Sequence, residues 1–123
     1  MADGLTNQLK KALQAKLKTQ ANEVFFHRAK KAGTSYVIYD LDTVTAEETV
    51  QQIELTVNVF GSGDSSVALD DLADNIWAAL NHWYYNSGGL IFTVYPTTRG
   101  TVVDDANNNN LHRRLVFEIR FYE

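Results

Sequence analysis

Two spacings of apolar residues run along the chain, one helical and one alternating. In residues 4–20, Leu5, Leu9, Ala12, Leu13 and Leu17 form one stripe, with Asn7, Lys10, Lys11, Gln14 and Lys18 on the opposite side. That spacing predicts an amphipathic helix, with Asp3 placed to cap it. Lys16 falls inside the stripe, where its stem can pack while its ammonium reaches outward. "EVFFH" at 23–27 reads as a short strand. "SYVIYDL" at 35–41 carries Val37, Tyr39 and Leu41 on one face and Tyr36 and Ile38 on the other, which predicts a central strand covered on both sides. "QQIELTVNVFG" at 51–61 alternates cleanly: Ile53, Leu55, Val57 and Val59 point one way, Glu54, Thr56 and Asn58 the other.

A second helix is predicted in "GSGDSSVALDDLADNIWAALNHWYYNSGG". Asp64, Ser65 or Ser66 can cap it, and Asn86, Gly88 and Gly89 offer a left-handed stop. Asp70, Asp71 and Asp74 suit the helix dipole if they reach the first turn. On a wheel, Leu69, Leu72, Ala73, Ile76, Ala79, Leu80, Trp83 and Tyr84 cover the apolar half, Asp70, Asp71, Asp74, Asn75, Asn81 and His82 the polar half, and Trp77 falls on the rim between them. "LIFTVY" at 90–95 and "LVFEIRFYE" at 115–123 read as strands. The predicted order is therefore α-β-β-β-α-β-β. That is an α+β fold, a mainly antiparallel sheet with two helices on one face, formed as a single domain over 1–123. Between the last two strands lies the polar run "PTTRGTVVDDANNNNLHRR", 96–114, which predicts a long loop before the last strand. Loops of that length are uncommon in a small domain and are either functional or merely floppy.

Charge sharpens this picture. Residues 1–31 hold seven Lys and Arg against Asp3 and Glu23, whereas the remainder holds Arg99, Arg113, Arg114 and Arg120 against thirteen acids. One end is basic and the body acidic, a polarity that can orient a molecule toward partners of either sign. The simpler reading of the basic end is a solvated helix face. The absence of cysteine excludes disulfides and thiolate metal sites. The N-terminal stretch lacks the continuous apolar run of a signal peptide, and no stretch has the length of a membrane span, so a soluble protein made in the cytosol is expected.

Candidate chemistry is sparse. His27, His82 and His112 have no metal-ligand spacing, and solvated side chains account for them better. Asp70, Asp71, Asp74, Asp104 and Asp105 lack the glycine turn and alternating oxygens of a calcium loop. "GSGDSS" lacks the lysine of a phosphate-binding loop and is better read as a strand-to-helix turn. No nucleophile, base and orienting group can be assembled, so nothing supports an enzyme. The aromatics in "WAALNHWYY" sit in an acidic helix, unlike the stacking platforms of single-strand binders, which interleave Lys and Arg. Trp77 alone invites a role against another subunit.

The layout of the amphipathic first helix, "SYVIYDL", "QQIELTVNVFG", "SVALDDLADNIWAAL" and "LVFEIRFYE" resembles the tail terminator (tail-completion, minor capsid) proteins of long-tailed bacteriophages. The likeness spans nearly the whole chain and is one of element order and texture, with no invariant motif. It implies a structural protein without catalytic residues or cofactors. It also implies assembly with itself into a hexameric ring on the finished major tail tube protein, where the ring ends tube growth and later meets the head–tail connector protein. The expected location is the virion, at the top of the tail, after assembly in the host cytoplasm. No membrane and no sequence-specific nucleic acid partner is expected. On this reading Arg99, Asp104, Asp105, Asn107, Asn108, Asn109, Asn110, Arg113 and Arg114 of the polar arm are candidates for contacts with a neighbouring subunit or the tube, followed by Trp77 and the Lys10, Lys11 and Lys18 face. A head–tail joining (neck) protein of the same virion is the alternative. A nucleic-acid-binding module working through residues 1–31 is a more distant one.

Overall fold

The computed structural model describes residues 2–21, 23–27, 36–46, 51–62, 66–101 and 110–122. The elements are α1 (Ala2–Lys18), β1 (Val24–Phe26), β2 (Tyr36–Ala46), β3 (Gln51–Ser62), α2 (Ser66–Leu80), β4 (Tyr84–Ser87), β5 (Leu90–Thr101) and β6 (Asn110–Tyr122). The strands form one sheet in the order β1-β2-β3-β6-β5-β4. All neighbours are antiparallel except β1 and β2. This is the expected α+β architecture with one strand more.

That extra strand is β4. The predicted second helix ends at Leu80, where His82 takes the left-handed turn at φ 58°. Gly88 and Gly89, at φ 59° and 87°, are the two-residue turn of the β4–β5 hairpin, not a helix stop. Tyr84, assigned to the apolar half of the wheel, is 58% exposed as a consequence. Asp3, expected as the cap of α1, lies within the helix. Of the caps proposed for α2, Ser66 is its first residue, while Asp64 and Ser65 lie outside the described residues.

Both helices lie on one face of the sheet. Leu9, Leu13 and Leu17 of α1 and Leu69, Ala73, Ile76 and Leu80 of α2 are buried in one cluster with Val37, Tyr39, Leu55, Val57, Val59, Phe92, Val94, Leu115, Phe117 and Ile119. Each fully buried aliphatic side chain stabilises the fold by about 1.5–3 kcal/mol relative to exposure. Gly61 lets the end of β3 approach α2, for a Cβ there would stand 3.3 Å from Leu69 Cδ1. Lys16 behaves as its position in the stripe required: its stem packs and its Nζ sits 5.1 Å above the Trp83 ring. Tyr39 is 1% exposed, and its hydroxyl donates to the Lys10 carbonyl at 3.2 Å. Burial pushes its pKa up to about 12.

Among the described residues, no helix lies on the opposite face of the sheet. β2 was expected to be covered on both sides; Tyr36 and Ile38 instead lie on this open face and are only half-buried.

Candidate functional site

Strand β5 continues through Pro96 to Thr101, and β6 starts at Asn110. Most of the expected loop is thus a β-hairpin extension, with Arg99 opposite Leu115 and Thr101 opposite Arg113. The alternation in "PTTRGT" is concealed by a β-bulge between Pro96 and Thr98. One extra residue there moves the helix-facing positions from even numbers (Phe92, Val94) to odd ones, and Arg99 turns toward α2.

Two arginines fasten this extension. Arg113 Nε donates to Asp70 Oδ1 at 2.7 Å, and Arg99 donates from one guanidinium nitrogen to Asp74 Oδ1 at 2.5 Å. Asp70 and Asp74 are one helical turn apart, so both carboxylates stand on the same side of α2. They lie beyond the first turn, which holds no acid, and serve the hairpin in place of the helix dipole. The Arg99 guanidinium also lies 5.4 Å from the Trp77 ring, whose other neighbour is Phe117 at 5.0 Å. Where the apolar core ends, cation–carboxylate pairs take over the same face of the sheet.

The open face offers a second feature. Tyr36, Phe60 and His112 stack across β2, β3 and β6 with ring centroids 4.9 and 4.2 Å apart, and Phe25 meets Tyr36 edge-on at 6.5 Å. The His112 Nε2–H donates to Asn58 Oδ1 at 2.7 Å. Alongside this aromatic rib lies an open groove of about 580 Å³, lined by residues that include Phe26, His27, Asp40, Thr56, Asn58, His112 and Arg114. His27, at φ 72°, has its backbone N–H on the Tyr39 carbonyl at 2.9 Å, and its Nδ1–H donates to Asp40 at 2.8 Å. At the margin of the groove, Asp42, which also lines it, forms one row with Glu54 and Glu118 across β2, β3 and β6, each directly opposite the next. Glu118 accepts from Arg120 Nε at 2.6 Å, and Arg120 lies over Tyr95 at 5.0 Å.

The predicted site residues separate into groups. Arg99, Arg113 and Trp77 come together at the base of the hairpin and are engaged with their own α2. Asn110 pairs with Ser62, and Arg114 is exposed on the groove side. Asp104, Asp105, Asn107, Asn108 and Asn109 lie outside the described residues. Lys11 and Lys18 are exposed on α1, while Lys10 is half-buried with its Nζ 4.0 Å from the Phe26 ring centroid. Sequence reasoning missed the rib and the carboxylate row, because both are assembled by cross-strand register from residues far apart in the chain. Among the described residues no three His, Cys, Asp or Glu gather as a metal site requires, and no helix is long and apolar enough to cross a membrane.

No family model and no curated protein matches the chain. Its fold does recur in solved structures. One, a protein without a functional name, is 18% identical with a TM-score of 0.75, and the match covers 100% of this chain and 97% of that one. Another is a chain in the virion of a native gene transfer agent particle, 14% identical with a TM-score of 0.65, covering 87% of this chain and 84% of that one. At these identities the likeness is one of fold.

Proposed function

We propose that this chain is a non-enzymatic structural component of a virion, forming a ring that caps a tail tube and ends its polymerisation. The reading rests above all on the β5–β6 hairpin. Its strands are braced to α2 by Arg113–Asp70 and Arg99–Asp74 and flank the acidic, Asn-rich run of sequence 104–110. The fold shared with a chain of the gene transfer agent virion supports the virion role, and the resemblance in element order to phage tail terminators supports the position on the tube. In this reading the arm residues divide by role. Arg99 and Arg113, with Trp77, hold the hairpin at its angle; Asp104, Asp105, Asn107 to Asn110 and Arg114 meet a neighbouring copy or the tube. Bracing the flanking strands limits the conformational freedom lost when these residues engage a partner. The partners are further copies of the chain, expected as a hexamer, then the major tail tube protein, and on the other side the head–tail connector protein.

Deleting residues 104–110 tests this. The expected outcome is tails of uncontrolled length in electron micrographs, with the circular dichroism of the purified monomer unchanged. Tails of normal length would refute the role of these residues. Tails of normal length that fail to join heads would favour a head–tail joining protein instead.

A further inference from the structure

The open face of the sheet is built as a receiving surface, and the chain itself carries a segment of matching charge and spacing. We propose that this face takes the lysine-bearing side of helix α1 from a second copy of the chain, so that subunits associate head to tail through opposite sides of the fold. This rests on the ring-forming reading above and names the two faces that such a ring would bring together.

Four observations carry it. The groove runs across the strands, because its lining comes from β1, β2, β3 and β6 at neighbouring register positions. It is bounded on one side by the Tyr36–Phe60–His112 rib and on the other by the Asp42–Glu54–Glu118 row. Like charges directly opposite one another on a sheet destabilise it. Among the described residues only Arg120 forms an ion pair with that row, through Glu118. An incoming cation would relieve the remaining repulsion between Asp42 and Glu54.

The complementary surface is α1. Between residues 7 and 18 it bears Lys10, Lys11, Lys16 and Lys18 and no acid. Lys10 and Lys16 lie over aromatic rings of their own chain, whereas Lys11 and Lys18 are exposed. These two are seven residues apart, two turns along one side of the helix and about 10.5 Å by the helical rise. Two interstrand steps separate Asp42 from Glu118, about 9.6 Å. A helix laid across the strands therefore brings its two exposed ammonium groups over the two ends of the row. Arg114, the cation lining the groove, is four residues along β6 from Glu118, about 13 Å away on the rib side, and does not oppose this. Because α1 covers one face of the sheet and the groove lies on the other, the contact is heterologous, the kind that closes into a ring when the rotation between subunits divides the circle.

Sedimentation velocity on the purified full chain, with and without tail tubes, tests the proposal. The K11E/K18E chain and the D42K/E54K chain should each associate at least about tenfold more weakly than the wild type. The chain carrying all four reversals should recover most of that loss, since attraction is restored with the signs exchanged. Circular dichroism checks each fold, and Asp42→Lys alone, at an exposed position, serves if the double sheet variant does not fold. Rings that form equally well in every variant, or a fourfold variant that stays as weak as its parents, would overturn the choice of faces and leave the ring reading intact. A wild-type chain that remains monomeric even with tubes present would overturn both. A D42K/E54K chain that still forms rings but no longer binds tubes would assign the acidic face to another protein and also overturn the proposal.

Discussion

The two faces of one sheet make opposite use of the same strands. Along β2, β3 and β6, Val37, Tyr39, Leu55, Val57, Val59, Leu115, Phe117 and Ile119 point toward the helices and are at most 1% exposed. Their neighbours in sequence (Tyr36, Ile38, Asp40, Glu54, Asn58, Phe60, His112 and Glu118) point the other way and remain half-exposed. The helix face concentrates folding energy and holds no unsatisfied buried side-chain polar atom among the described residues. Beside its aromatic rib, the open face carries directly facing carboxylates that a sheet designed for stability alone would avoid. Stability is therefore carried by one face, which leaves the other available for recognition.

The largest test of that division is Phe117→Ala. Phe117 is fully buried and packs 5.0 Å from the Trp77 ring, so its loss removes core contacts and leaves a cavity. Truncations of this kind cost about 3–5 kcal/mol. A chemical denaturation midpoint should fall accordingly. A loss below about 1 kcal/mol, the scale of a surface change, would break the comparison.

Tyr39 sharpens it through pH. Burial raises its pKa from the ordinary value of 10 to about 12, so the folded state holds the phenolic proton more tightly than the unfolded state. The sign follows: this contribution is fully present below pH 10 and is lost as pH rises from 10 to 12, on the order of 2–3 kcal/mol in all. Tyr39→Phe should remove that portion of the alkaline loss. The readout is the difference between the two stability curves from pH 9 to pH 12, and parallel curves would contradict it.

At the boundary between apolar core and polar hairpin the effects shrink. The Arg113 side chain is 16% exposed and bonded to Asp70, and its truncation to Ala should cost about 1–2 kcal/mol. Arg99 is more exposed, and its pair with Asp74 should contribute less than about 1 kcal/mol. Arg99→Ala should still alter Trp77 emission, because the guanidinium lies over that ring. Equal losses from the two arginines would mean that burial does not grade the brace.

These arginines also show where sequence was readable and where it was not. The clean alternation in 51–61 and the stripe in α1 placed β3 and the first helix within a few residues, because one period dominated each segment. The hairpin was harder. A bulge at Pro96–Thr98 changes the parity of β5 midway, so "PTTRGT" reads as a loop although it is strand. Trp83 and Tyr84 continue the helical stripe of α2 in sequence, yet the left-handed turn at His82 hands them to the chain entering β4. The brace could have been suspected from Arg113, a cation at an inward position of β6 in line with Leu115 and Phe117. Its partners Asp70 and Asp74 could not, since only the packing of α2 on β6 and β5 brings them near. The rib and the carboxylate row depend on register between strands up to about 60 residues apart, which no local pattern encodes.

The smallest effect is the most discriminating. Glu54 has Asp42 on one side and Glu118 on the other, both at directly opposed register positions. Replacing its charge with a neutral amide of the same shape removes two repulsions and no described ion pair. Glu54→Gln should therefore stabilise the isolated chain by about 0.2–0.5 kcal/mol at low salt, with the gain shrinking as salt screens the charges. Paired denaturation curves at low and high ionic strength read this directly. A substitution that makes the monomer more stable while weakening its self-association would mark the residue as retained for contact, since the fold is better without it. A destabilised Glu54→Gln chain would instead mean that the carboxylate has an attractive partner within its own subunit, and the open face would then be maintained for stability like the helix face behind it.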